Sequence, residues 1–85
     1  MKNDGEIIAW RTEAIGIASI VWSRSRAQAR YATTRSARDA GWDVRFTQVR
    51  AHRAPSFDGL QGAFAERRCY SLDYIRAVLN APSKE

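Results

Sequence analysis

EIIAWRTEAIGIASIVWS, residues 6 to 23, admits two readings, and the choice between them decides the fold. A helix would have to accommodate Ile, Val and Trp in quantity and would carry Gly16 in its interior, at a cost of about 1 kcal/mol relative to Ala. Those same residues suit a pleated, half-buried surface. The stretch is therefore read as two strands, EIIAWRT (6–12) and IGIASIVWS (15–23), paired as an antiparallel hairpin with the turn in TEAIG (12–16).

The next stretch, SRSRAQARYATTRSARDAGWD (23–43), holds five arginines and reads as one helix. Ser23 or Ser25 supplies the N-cap, and Gly41 supplies the stop after Ala40. At about 100° per residue two faces separate. Ala29, Ala32, Thr33, Ser36, Ala37 and Ala40 form a small face that can lie close to a sheet. Arg24, Gln28, Tyr31, Arg35 and Arg38 point the other way, with Arg26 and Arg30 flanking the small face.

WDVRFTQVRAHRAP (42–55) returns to strand chemistry. Trp42, Val44 and Phe46 alternate with polar residues, and the alternation slips at Thr47 and Gln48, which predicts a bulge or break there. APSFDGLQGAF (54–64) has the composition of a loop, and AERRCYS (65–71) offers a short last strand. Ser71 then caps a helix over LDYIRAVLN (72–80), stopped by Asn80 and Pro82, with Leu72, Ile75, Val78 and Leu79 on one stripe. The ends, MKNDG and SKE, read as loose and polar. The expected fold is α+β: one domain over residues 1–85, a small antiparallel sheet of three to four strands, and one long helix plus a short C-terminal helix against one face of it. Trp10, Trp22, Phe46 and the 72–79 stripe are the expected core.

Composition limits the function. The 85 residues carry 14 basic against 9 acidic side chains, a net charge of +5, and the only lysines are Lys2 and Lys84. Arginine offers a planar fork that grips phosphate or carboxylate and stacks on flat rings. The bias suits an anionic partner, although a GC-rich genome would produce the same excess with every arginine merely solvated. The longest apolar stretch, AIGIASIVW, is far short of the ~20 residues that span a bilayer, and MKNDGEIIAW lacks a signal-peptide layout, so a cytoplasmic protein without a membrane anchor is expected.

Catalytic chemistry finds little footing. Cys69 and His52 are the only residues of their types, so no internal disulfide forms and a zinc site lacks ligands. A Cys–His nucleophilic pair would need contact across the fold. Phosphate-binding glycine loops and the HExxH motif are absent. No enzyme activity, cofactor or metal is expected.

Two kinds of partner fit the arginines. Interleaving with Tyr31, Trp42 and His52 suits phosphate contact and base stacking on DNA or RNA. Arg, Tyr and Trp are equally the residues that anchor protein interfaces, and a +5 surface is steered toward an acidic patch. A small regulator acting as a dimer is a third reading, although a monomer is expected. The candidate contact residues are Arg24, Tyr31, Arg35 and Arg38 on the helix and Arg45, Arg50 and Arg53 on the strand that follows.

The run ARYATTRSARDAGWDVRFTQVRAHRAPSFD (29–58), with its A-R-Y, D-A-G-aromatic and R-A-P spacing, resembles small phage and prophage proteins. Taken with IIAWRTEAIGIASIVW (7–22), it resembles small anti-CRISPR proteins, especially inhibitors of type I-C systems, over about half of the chain. The resemblance implies a non-enzymatic protein in the host cytoplasm. It would bind the type I crRNA-guided surveillance complex (Cascade), through Cas proteins with contact to the crRNA an option, and keep it from target DNA. Many anti-CRISPR proteins are acidic mimics of DNA; this basic chain would instead have to reach an acidic Cas face, reach the RNA or block the channel.

Overall fold

In a computed structural model, which describes residues 6–80, the hairpin reading holds. Strands β1 (Ile8–Ala14) and β2 (Ile17–Ser23) pair antiparallel in a register that sets Ala9 opposite Trp22 and Ala14 opposite Ile17. Only Ile15 and Gly16 remain for the turn, at φ of 54° and 72°. Two consecutive positive φ values define the tight turn whose twist matches that of the strands. Gly16 accepts this freely, whereas a β-branched residue such as Ile15 is strained there by about 1–2 kcal/mol. β1 thus runs two residues beyond the expected Thr12, and β2 starts two residues after Ile15.

Helix α1 (Arg26–Asp39) follows, then a 3₁₀ turn (Phe46–Gln48), β3 (Arg50–Arg53), a 3₁₀ segment (Pro55–Ala63), β4 (Cys69–Ser71) and α2 (Leu72–Leu79). The result is an α+β fold around one antiparallel sheet of strand order β3-β1-β2-β4. The loose MKNDG and SKE ends expected from the sequence, and Pro82, lie outside the described residues. Among those described, no helix is long and apolar enough to cross a membrane.

The two helices lie on opposite faces of the sheet, not on one as expected. Strand alternation explains this. Trp10, Val21 and, from β4, Cys69 face α1, where they meet Ala29 and Ala32. Ala9, Ile20 and Trp22 face the other way, toward Ala54, Phe64 and Ile75. Ile20, Val21 and Trp22 are therefore all fully buried, although neighbours in a strand point to opposite sides. Trp22 stacks on Phe64 with centroids 4.8 Å apart and donates its indole N–H to the Phe57 carbonyl at 2.9 Å. Such an aromatic pair adds about 0.5–1.5 kcal/mol beyond its burial.

Three further expectations are corrected. Residues 42–45 form no strand, and Phe46 is only half-buried. The 54–64 segment is mainly a 3₁₀ helix, which Pro55 opens at its first position and which brings Phe57 and Leu60 against the second core. In α2 only Ile75 is fully buried, while Val78 and Leu79 are exposed. The residues of this two-turn helix that reach the core are Leu72 and Ile75, in its first half.

A buckle ties the 3₁₀ segment to the sheet. Asp58 accepts the Ala9 N–H at 2.8 Å and pairs with Arg53 at 2.9 Å, and Arg53 also donates to the Ala9 carbonyl at 2.8 Å. The guanidinium groups of Arg53 and Arg26 also lie against the Trp10 ring, 5.6 and 5.7 Å from its centroid. The Arg53 hydrogen bond holds the Asp58 carboxyl below its ordinary value; burial opposes it, and the Ala9 N–H adds a smaller lowering effect. A carboxylate with a lowered folded-state pKa stabilises the fold above its unfolded pKa, and that contribution disappears as pH falls through the folded value. Asp58→Asn is expected to lower Tm at pH 7 by about 5 °C, corresponding to about 1 kcal/mol for a partly exposed pair. The difference from wild type should shrink as pH falls below the ordinary carboxylate range, in thermal melts followed by circular dichroism.

Candidate functional site

The sequence of α1 determines what it shows to solvent. Ser25 caps it by accepting the Gln28 N–H at 3.2 Å, and the Gln28 side chain accepts the Arg24 N–H at 3.0 Å. At the other end Gly41, at φ 95°, lets its own N–H reach the Arg38 carbonyl and lets the Trp42 N–H reach the Ala37 carbonyl, both at 2.9 Å. That pair of bonds is the glycine-terminated helix stop. Ala29 and Thr33 are buried on the sheet, and the Thr33 and Thr12 hydroxyls meet at 2.6 Å. Ser36 and Ala40, expected on the buried face, are exposed because the inward direction is centred on Ala29, Thr33 and Ala37.

On the β3 side of α1, arginines serve the fold. Arg30 donates to the carbonyls of Val49 (2.9 Å) and Phe46 (3.1 Å) and lies 4.3 Å over the Phe46 ring. Arg38 donates to the Val44 carbonyl at 2.9 Å. These bonds explain the missing strand: the carbonyls of 44, 46 and 49 are occupied by helix side chains, while Val44 and Val49 bury themselves against Ala14 and Ala37. Backbone groups satisfied in this way have no need of a sheet partner.

On the β4 side lies an open groove of about 870 Å³. Tyr31 and Arg35 of α1 form one wall, and Arg67, Arg68 and Cys69 form the other. Tyr31 is 58% exposed. Arg35 and Arg68 make no ion pair with another described residue, whereas Arg67 and Arg24 both approach Glu66, at 3.7 and 3.6 Å. Asp39 is the one acidic residue among those lining the groove. The geometry suits an anion-bearing partner that can also use a flat ring.

The residues singled out from the sequence are thus divided. Arg24, Tyr31 and Arg35 stand at or beside the groove. Arg38 holds the connecting segment, and Arg53 belongs to the Asp58 buckle. Arg45 is exposed in that connecting segment, and Arg50 sits opposite Glu13 on the sheet face away from α1. Arg67 and Arg68 were not singled out: in AERRCYS they read as part of a short strand, and only their place in the turn before β4 brings them to the helix.

His52 on β3 and Cys69 on β4 occupy opposite edges of the sheet, three strand spacings or about 14 Å apart. They also point to opposite faces, since His52 pairs with Arg11 and Cys69 with Val21. They form no nucleophilic pair. The nearest hydroxyl contact of Cys69 is Thr33, 3.6 Å away. Among the described residues no three His, Cys, Asp or Glu side chains converge as metal ligands. Comparison with protein-family models, with curated proteins and with solved structures finds no match for this chain.

The two sides of α1 should respond differently to mutation. Arg30→Met is expected to cost about 2 kcal/mol, because it removes charged donors from two carbonyls. Arg35→Glu should change stability by less than about 0.5 kcal/mol. Urea denaturation of both variants checks this.

Proposed function

We propose that this protein is a non-catalytic binding module that docks an acidic macromolecular surface in the groove between α1 and the turn before β4. The observation that carries the reading is the convergence of Arg35, Arg67 and Arg68 around an exposed Tyr31. Of these, Arg35 and Arg68 make no ion pair with a described residue, so their charge is available to a partner. Arginine and tyrosine together supply fork-like pairing and a rigid ring, the chemistry that anchors interfaces.

The resemblance to small inhibitors of type I-C systems supplies the particular form of this proposal. The partner is the type I crRNA-guided surveillance complex, bound on an acidic Cas surface, and the consequence is loss of target DNA binding. The protein would act in the cytoplasm of the host cell, by occupancy and without turnover. Direct binding to DNA or RNA is the second reading. It is favoured by Tyr31, whose exposed ring stands among phosphate-pairing groups.

A gel-shift competition separates the two. With a type I-C surveillance complex and labelled target duplex, the protein is expected to abolish the complex–DNA band and to leave duplex alone unshifted. The Arg35→Glu/Arg68→Glu variant should need about tenfold more protein for the same effect, with an unchanged circular dichroism spectrum. A shift of duplex alone that fades steeply with salt would select the nucleic-acid reading. No effect in either lane would remove the surveillance complex as the partner.

A further inference from the structure

The groove continues into a second chamber. Ser36 and Cys69 line both, and beyond them lies a depression of about 290 Å³ beside the hairpin turn. Ile15, Ile17 and Trp42 stand around it, each about half exposed at 49, 50 and 50%. Three large apolar side chains around one hollow form a patch, unlike single apolar residues scattered over a surface.

Ile15 is the telling member. Asn or Gly would make the same turn with little strain. Ile15 stays at φ 54° with half its surface in water and belongs to none of the buried clusters. The other non-glycine residue with positive φ, Arg67, lines the basic chamber. Both such positions among the described residues therefore border the same trough, and backbone strain of this kind concentrates where ligands are held. β2 also outruns β4 here. β4 pairs with Ser19, Ile20 and Val21, which leaves Ile17 and Ala18 without a strand on that side among the described residues. An open edge of this kind can pair with an extended chain.

We propose that the trough takes one extended protein segment carrying an acidic run and an apolar anchor. The acidic run lies against Arg35, Arg67 and Arg68, and the anchor enters the chamber of Ile15, Ile17 and Trp42. This rests on the reading of the basic groove as a docking site and adds the class of partner. Charge complementarity selects the acidic run. The apolar chamber and the open edge select a polypeptide, because a nucleic acid strand would leave both unused.

The test is selection of twelve-residue peptides from a random displayed library on the immobilised protein. Enriched peptides are then titrated by fluorescence anisotropy against wild type, Ile15→Asn and Arg35→Glu/Arg68→Glu. The expected consensus joins Asp or Glu residues to a nearby Trp, Phe, Leu or Ile. Ile15→Asn is expected to melt at a higher temperature than wild type yet bind these peptides about fivefold more weakly, and the double reversal about tenfold more weakly. Higher stability with weaker binding is an outcome that a purely structural role for Ile15 would not give. Acidic peptides without an apolar preference, bound equally by Ile15→Asn, would leave the basic groove standing and overturn the anchor chamber. An apolar consensus indifferent to the double reversal would overturn both. A single-stranded oligonucleotide that outcompetes every peptide and binds Ile15→Asn equally would overturn the polypeptide. A dimer in light scattering that Ile15→Asn dissociates would assign the chamber to a second copy and overturn it too.

Discussion

The register of the β1–β2 hairpin is the constraint on which the other elements depend. A slip of one residue would turn every side chain of the sliding strand to the opposite face. Here both faces are buried by different partners. Trp22 requires Phe64 and the Phe57 carbonyl on one side, while Val21 and Thr12 require Ala29 and Thr33 on the other. A slip of β2 would turn the Trp22 indole away from Phe64 and the Phe57 carbonyl, and a slip of β1 would turn the Thr12 hydroxyl away from Thr33. The two-residue turn at Ile15 and Gly16 fixes that register at the cost of a strained isoleucine. The same turn sets Ile15 beside Ile17 at the mouth of the apolar chamber.

The arginines divide by the geometry of α1. Successive helix positions differ by about 100°, so Arg30 and Arg38 reach the β3 side while Arg35 points away from it. The first two spend their donors on carbonyls of the segment that leads to β3. Arg53 does similar work at Ala9 and Asp58. A guanidinium held by carbonyls keeps its charge, but its directional donors are committed. The groups left for a partner are those whose donors remain uncommitted, and Arg35 and Arg68 meet across one groove. A basic composition is thus partly a structural device, and the number of arginines overstates the guanidinium donors free to grip a ligand.

How much of this was legible in the sequence varies with the range of the interaction responsible. The hairpin, α1 with its Gly41 stop and a serine cap, and the Ser71 cap of α2 all follow from local signals, and each appears, with Ser25 rather than Ser23 as the cap of α1. The break near Thr47 and Gln48 was also visible as a slip of alternation. The absent strand before it was not, since Trp42, Val44 and Phe46 alternate as a strand would. What displaced it is the reach of Arg30 and Arg38 from a different element, which no local pattern reports. The division of the helices between two faces was hidden for a related reason: the run Ile20–Val21–Trp22 is compatible with burial on both faces but does not say what covers each. In the site, Tyr31 and Arg35 were readable from helical spacing. Arg67 and Arg68 were not, because only the chain reversal before β4 carries them to the helix.

The central claim is that the trough along the β4 side of α1 is the working surface of this fold. Hydrogen–deuterium exchange of the protein, free and in the presence of a type I-C surveillance complex, tests it most directly. Exchange should slow in the segments that contain Tyr31 and Arg35, Arg67 to Cys69, and Ile15 to Ala18, and remain unchanged in α2 and at Arg50 to Arg53. Slowing confined to α2 or to the β3 edge, with the α1 groove as open as in the free protein, would contradict the account.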